Sequence, residues 1–393
     1  MPNIDRVLHL VLEADGISRS ALAERAGLSR SAVATLVTTL IANGQVREAG
    51  PQSGGVGSGQ GRPSALLHPV LQPAIALGLD FGHKHVSVAA SDLEGTTIGT
   101  RRVRFDVDTK AHEAIDLAMM LVDDILAEHG RADVPTVAAV ASIPGPIDLV
   151  TGIVQSPTIL AGWVGLDPAA EIAARLGTPV SVHNDANLGA WGERVYGAGR
   201  GVDDFVYIKA SDGIGAGIIV DGRILAGSRG LAGEIGHTPS DAEGQLCRCG
   251  NNGCIEMVAS STAVRAKLAI VNPYFDPTES LASLTDSVSK RILAEAGRAL
   301  GKAIADVCNL LNPSAVIIGG ELGEAGDAFV RGVRESVDRI AQPATAATVE
   351  ILVAETGRDA ELMGALAKSV SEGRQLAVSA GAPDHPPRTG ART

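Results

Sequence analysis

The sequence predicts an α/β fold with mixed sheets, preceded by a small helical unit. Within residues 1–45, apolar side chains recur at helical spacing in three short runs. From Ala74 onward the pattern changes, and apolar runs of strand length alternate with longer amphipathic ones. Between the two parts, residues 50–63 are rich in Gly, Ser and Gln. Such a composition cannot build a core and reads either as a linker or as the tip of a hairpin.

In the first unit, Ile4, Val7, Leu8 and Val11 fall at i, i+3, i+4 and i+7, one stripe of a helix. Ser18 or Ser20 is placed to cap a second helix that runs to Ala26. Gly27 supplies a turn, and Ser29 is a good N-cap for a third helix. That helix buries Val33, Leu36, Val37 and Leu40 and stops near Asn43-Gly44. Two helices joined by a short Gly-bearing turn follow the helix-turn-helix plan, and the third would enter the major groove of DNA. Ser29, Arg30, Ser31 and Thr35 are polar and lie off the apolar stripe, which makes them the candidates for base and phosphate contact. The bland alternative is a helical cap packed on the body. Gly61-Arg62-Pro63 is narrow and extended, so Arg62 is a candidate for an A·T-rich minor groove, with an ordinary turn as the other reading.

In the body, residues 75–81, 86–91 and 98–105 predict a strand meander and 111–129 a helix. Residues 137–143 and 180–183 read as buried strands, and 206–209 with 214–220 as a second pair. A long helix is predicted over 287–309, a strand over 315–318, a helix over 324–340 and a strand over 349–353. Residues 359–370 close the fold, and 373–393 are Pro/Gly-rich and expected to be disordered.

Composition narrows the function. The 393 residues carry a net charge of −12 and only 3% aromatics, so the core must be built from Val, Leu, Ile and Ala. Residues 1–68 hold Arg6, Arg19, Arg25, Arg30, Arg47 and Arg62 against five acids, and the rest of the chain carries the whole deficit. An acidic body is repelled by phosphates, so DNA contact is expected only from the N-terminal unit. The longest apolar run, 134–147, is short and broken by Pro135, Pro144 and Pro146, which excludes a membrane-spanning helix there. The N-terminus carries Asp5, Glu13 and Asp15 and lacks a signal-peptide pattern, so a cytoplasmic location is expected.

His237-x9-Cys247-x-Cys249-x4-Cys254 is the sharpest local signal. Four such ligands within 18 residues fit a tetrahedral zinc site with no place left for a substrate water, hence a structural one. Gly244, Gly250 and Gly253 let the chain fold around so small a radius. The alternative is three buried or oxidised cysteines. Cys308 lies far off on the long helix and reads as a core residue.

The block Leu231-Ala232-Gly233-Glu234-Ile235-Gly236-His237, followed by Cys247-Arg248-Cys249-Gly250-Asn251-Asn252-Gly253-Cys254-Ile255-Glu256, resembles the signature of the ROK family (repressor, open reading frame, kinase). Ile143-Pro144-Gly145-Pro146-Ile147-Asp148, Val182-His183-Asn184-Asp185-Ala186-Asn187, Gly213-Ile214-Gly215-Ala216-Gly217 and Ile317-Ile318-Gly319-Gly320 agree in order, from about residue 70 to 370. The resemblance implies a two-lobed actin-like (ribonuclease H-like) sugar-kinase fold. Lobe 1 would be residues 74–186 completed by 359–372, and lobe 2 residues 187–358 with the zinc motif. It further implies that a sugar is held by Asn184, Asp185, Glu234, His237 and Glu256, with zinc fixing the loop that bears Glu234 and His237. A hexose offers a ring of hydroxyls, which carboxylates, amides and imidazoles bind well. Asn184 and Asp185 can equally cap the helix that follows, and both roles can coexist.

In the family's kinases the residue matching Asp185 is the general base. The phosphate loops depart from the kinase pattern. Asp80-Phe81-Gly82-His83-Lys84 stands where kinases have Asp-x-Gly-Gly-Thr, and Ser211-Asp212-Gly213 where they have Gly-Thr-Gly. Glu321 follows Gly319-Gly320. Bulk and negative charge at these places oppose a triphosphate. The expectation is therefore a repressor of carbohydrate-utilisation genes that responds to a sugar or sugar phosphate, with kinase activity absent or weak. An ATP-dependent hexose kinase with an appended N-terminal domain, residues 1–68, is the alternative. One winged helix-turn-helix contacts few base pairs, so a homodimer or dimer of dimers on an inverted-repeat operator is expected.

Overall fold

A computed structural model describes residues 2–380, apart from 15, 50–64, 149, 155–157 and 242. The N-terminal unit contains helix α1 (Asn3–Glu13), strand β1 (Ile17–Ser18), helices α2 (Arg19–Ala26) and α3 (Arg30–Ala42), and strands β2 (Val46–Ala49) and β3 (Leu66–Pro69). Ser18 caps α2 by accepting the Ala21 N–H, and Ser29 caps α3 by accepting the Ala32 N–H. Gly27 ends α2 at φ 62°, a left-handed conformation that only glycine takes cheaply. Val7, Val11, Leu22, Ala26, Val33, Val37 and Leu40 are buried together with Val46 and Leu67, while Leu36 is half-buried. Strand β3 pairs antiparallel with both β1 and β2. Strands β2 and β3, which flank the segment read as a linker or a hairpin tip, pair with each other. The segment itself, with Arg62, lies outside the described residues.

The body contains two five-stranded sheets of matching design. The first comes from β4 (Ile75–Gly82), β5 (His85–Asp92), β6 (Thr97–Arg104), β7 (Thr136–Ile143) and β8 (Val180–Asn184), in the order β6-β5-β4-β7-β8. Helices α4 (Ala111–Glu128) and α5 (Pro168–Leu176) are its crossovers, and β4 pairs parallel with β7, as β7 does with β8. Helix α6 (Asp185–Tyr196) then leads to the second sheet. This holds β9 (Phe205–Ala210), β10 (Ile214–Val220), β11 (Arg223–Ile224), β12 (Ala315–Gly319) and β13 (Glu350–Val353), in the order β11-β10-β9-β12-β13. Between β11 and β12 lie α7 (Glu256–Ala259), α8 (Ser261–Val271) and α9 (Ser287–Leu311). Helices α10 (Gly320–Glu324), α11 (Asp327–Ile340) and α12 (Pro343–Thr348) precede β13, and α13 (Ala360–Ala380) follows it.

Each sheet has its own aliphatic core. Leu77, Leu79, Val86 and Val88 pack with Ile115, Val122 and Ile125, and Val206, Ile208, Val316 and Ile318 pack with Leu300, Ile304, Phe329 and Val333. The low aromatic content is accommodated because Val and Ile fill flat sheet faces well. No helix of the described residues is long and apolar enough to cross a membrane.

Two expectations need correction. The helix expected over 324–340 begins at Asp327, because Gly326 sits at φ 92° and interrupts it. The predicted disordered stretch is helical through Ala380, and only its residues from 381 lie outside the described ones. Packing overrides composition: a Cβ on Gly373 would sit 2.8 Å from Leu93, and Arg374 donates to the carbonyls of Leu93 at 2.6 Å and Leu12 at 3.3 Å.

Helices α6 and α13 meet backbone to backbone. A Cβ on Gly364 would fall 1.8 Å from the Leu188 carbonyl oxygen, and one on Gly192 would fall 2.3 Å from that of Ala360. Gly364→Ala must therefore push the helices apart, at an expected cost of about 3 kcal/mol in stability. Urea denaturation checks this, and an unchanged midpoint would show that the helices do not depend on this contact.

Candidate functional site

Between the two sheets lies a cleft of about 350 Å³, and Asn184, Asp185, Glu234, His237 and Glu256 all line it. Asn184 ends β8 and caps α6, accepting the Asn187 N–H at 3.2 Å. Asp185 receives the Ala186 N–H on Oδ1 at 2.7 Å and the Lys209 ammonium on Oδ2 at 2.6 Å. The capping role and the cleft position thus coexist in these two residues. Glu256 opens α7, accepting the Ile214 N–H at 3.0 Å and the Arg248 Nε–H at 3.1 Å. Burial, then repulsion from Asp185 and Glu256, pushes the Glu234 carboxyl up to about 6.

Lys209 was not singled out from the sequence. It lies on β9, and its Nζ also comes 3.7 Å from Glu361 at the start of α13. Burial alone would lower this ammonium, but Asp185, then Glu361 and Asp80, hold it well above its ordinary value. Burial pushes Glu361 up to about 7 against the pull of Lys209, and the Tyr207 hydroxyl donates to it at 3.3 Å. The signal in the sequence was a lone charge within the apolar run Phe205–Ala210.

The side-chain donors of His237, Cys247, Cys249 and Cys254 lie within 4.8 Å of one another. His237 Nδ1 is 3.6 Å from the Cys247 sulfur, and its Nε2 is 3.8 Å from Glu234 Oε2. One edge of the ring faces the sulfurs and the other the cleft. Burial pushes Cys254 up to about 12, and the neighbouring sulfurs add to this. Three sulfurs and an imidazole brought this close form a soft donor set, so they can hold a metal ion. Gly253, at φ 67°, allows the tight approach, since a Cβ there would collide with the Asp241 carbonyl.

The profile of the ROK family matches residues 76–370, and that of a winged helix-turn-helix DNA-binding domain matches residues 3–47. The chain belongs to the ROK family. It is 29% identical over 360 residues to the xylose repressor of Bacillus subtilis, covering 91% of this chain and 92% of the relative. It is 30% identical over 306 residues to the glucokinase of Thermotoga maritima, covering 74% of this chain and 95% of that one. Among solved structures, a ROK family transcriptional regulator described as a homologue of the E. coli MLC protein superposes with a TM-score of 0.76 at 25% identity, covering 96% of this chain and 98% of the other.

In this ROK protein each departure from the kinase phosphate loops has acquired a partner. His83 bonds Asp108 at 2.7 Å, and Lys84 reaches Asp212 across the cleft at 2.6 Å. Asp212 also accepts the hydroxyls of Ser261 and Thr262, each at 3.1 Å. Glu321 pairs with Arg265. The two turns that would cradle donor phosphates are thereby tied to each other. On the N-terminal unit, Ser29, Arg30, Ser31 and Thr35 are exposed on the first two turns of α3. The Ser29 and Thr35 hydroxyls are engaged locally, Ser29 as the cap and Thr35 donating to the Ser31 carbonyl at 3.2 Å, which leaves Arg30 as the longest reach.

Lys209→Met removes the counter-charge of two buried carboxylates while keeping a similar volume. It should cost about 3–5 kcal/mol in chemical denaturation. A loss below about 1 kcal/mol, the size of an exposed pair, would show that Asp185 and Glu361 do not depend on it.

Proposed function

We propose that this protein is a sugar-responsive DNA-binding transcriptional repressor of carbohydrate-utilisation genes. The observation that carries the proposal is a winged helix-turn-helix joined to a sugar-kinase body whose donor-phosphate turns are closed on each other by Lys84–Asp212. The similarity to a xylose repressor over both parts supports it. On this reading residues 1–68 bind operator DNA through Ser29, Arg30, Ser31, Thr35 and Arg62. Residues 74–186 with 359–372, and residues 187–358, form the two lobes, and a sugar or sugar phosphate binds Asn184, Asp185, Glu234, His237 and Glu256. The kinase reading loses ground because Asp185, the residue in the place of the base, is already bound by Lys209. A homodimer or dimer of dimers on an inverted repeat supplies the base contacts that one unit lacks.

The metal on this reading is a structural Zn2+ held by His237, Cys247, Cys249 and Cys254. When bound it would fix the loop that carries Glu234 and His237. Elemental analysis should find about one zinc per chain, the number a four-ligand site of this kind holds. Cys249→Ser should lower thermal stability and weaken sugar binding. Metal-free protein with full stability and full sugar affinity would overturn the assignment.

The sugar signal has a physical route to the DNA. Helix α13 begins beside the cleft at Glu361, and thirteen residues on Arg374 donates to Leu12 at the end of α1 and to Leu93 of the first lobe. Closure of the cleft around sugar would move α13 and with it the recognition helices, whose spacing on DNA is fixed. Operator affinity titrated against sugar tests this. In the natural protein sugar should weaken operator binding by ~5–150-fold. Glu256→Ala should bind operator yet fail to respond, and Arg374→Ala should bind sugar normally while transmitting less. Tight sugar binding with an unmoved operator affinity would refute the proposal.

A further inference from the structure

The polar cleft continues past the sugar residues. Beyond Glu234, His237 and Arg248 it opens into a second hollow of about 550 Å³. Pro146, Thr158 and Ile159 of the first lobe and Leu231, Cys249 and Gly250 of the second line it. Asp148 also lines this hollow, but it is buried and bound by the Arg229 guanidinium, whose Nε–H reaches it at 3.0 Å. The polar and apolar hollows share Ile159, Glu234, His237 and Arg248, and the apolar one touches neither Asn184 nor Asp185.

This division constrains the ligand. A sugar ring spanning Asp185 and Glu234 turns one edge toward Asp185 and the opposite edge toward the apolar hollow. A free sugar carries hydroxyls on both edges. Hydroxyls set against Pro146, Ile159 and Leu231 meet side chains that offer no hydrogen bond, so that edge gains nothing from them. An apolar group on that edge gains by leaving water instead. A glycoside has this shape, with ring hydroxyls kept for the polar hollow and an aglycone projecting from the anomeric carbon.

We propose that the effector is a glycoside, whose ring occupies the Asn184–Asp185–Glu234–His237–Glu256 cleft and whose apolar aglycone lies against Pro146, Ile159 and Leu231. The proposal rests on the sugar-site reading above and deepens it by naming the ligand class. It places the aglycone edge beside the metal knuckle, through Cys249 and Gly250, and away from Asp185.

Calorimetric titration of the full chain tests it, using D-glucose, D-xylose, D-galactose and D-mannose, each beside its α- and β-phenyl glycoside. For whichever sugar binds, one phenyl anomer should bind about tenfold tighter or more, from the area of ring removed from water. Leu231 is 43% exposed, so Leu231→Asp should fold normally, and a thermal melt checks this. It should abolish the gain for the phenyl glycoside and leave the parent sugar within about twofold, because it touches only the apolar hollow. Pro146→Ser is the second variant, with the same expectation, because Pro146 lines the apolar hollow and not the polar one. If free sugars bind and neither anomer of their glycosides binds better, the glycoside proposal is overturned while the sugar site stands. A gain that survives in both variants overturns the assignment of the aglycone to this hollow. If neither sugars nor glycosides bind, the sugar-site reading falls and takes this proposal with it.

Discussion

Helices α6 and α13 cross so closely that glycine is required on both. Carbonyl oxygens of Ala360 and Leu188 occupy the space where Cβ atoms of Gly192 and Gly364 would stand. This crossing joins the two sheets. Helix α6 leaves the first sheet directly from β8 and leads to β9, while α13 leaves the second sheet after β13 and packs back against the first. The start of each helix presents a carboxylate to the cleft, Asp185 and Glu361, and one ammonium from β9 serves both. A relative movement of the lobes must therefore strain either the backbone contact or the charge cluster. Packed interfaces of this kind prefer discrete arrangements to gradual deformation, which is the property a switch needs.

The same cluster engages the residue that stands in the place of the kinase base: Asp185 Oδ2 is held by the Lys209 ammonium, whose own proton is firmly retained. His237 makes a parallel economy. Its Nδ1 edge faces three sulfurs and its Nε2 edge faces Glu234, so a metal at the first would set the tautomer offered at the second. The candidate metal ligands and the cleft in this way share one imidazole.

Much of this was legible in the sequence. Ser18, Ser29 and Gly27 mark helix ends by capping chemistry that acts within a few residues, and they cap and turn as expected. The Cys and His spacing was readable because ligands close in sequence need little help from the fold to meet, and their atoms do cluster. Asn184, Asp185, Glu234, His237 and Glu256 converge on one cleft, which only the family resemblance could foretell, since three separate segments supply them. Lys209, Glu361 and the Lys84–Asp212 pair were missed because each partner lies far off in the chain, and pairing across a cleft leaves no local pattern. Helix α13 was cut short for a related reason. Gly373 reads as a breaker by propensity, but it sits within the helix where the side chains of Leu93 and Val137 pack close.

The energetic weight of the donor-side contact decides what controls closure. Lys84 is 69% exposed and Asp212 is 30% exposed, so their pairing contributes only about 0–1 kcal/mol once solvent screening is counted. In a kinase, donor phosphates would add several charge-assisted hydrogen bonds at this place and give nucleotide a say in closure. Here the turns are joined by a single weak pair, too weak to hold the lobes shut against thermal motion. Asp185 and Glu256 are buried but already paired, the one with Lys209 and the other with Arg248 and the Ile214 N–H, so neither depends on a ligand for its partners. A ligand that draws the lobes together or apart would therefore meet little resistance from the Lys84–Asp212 pair.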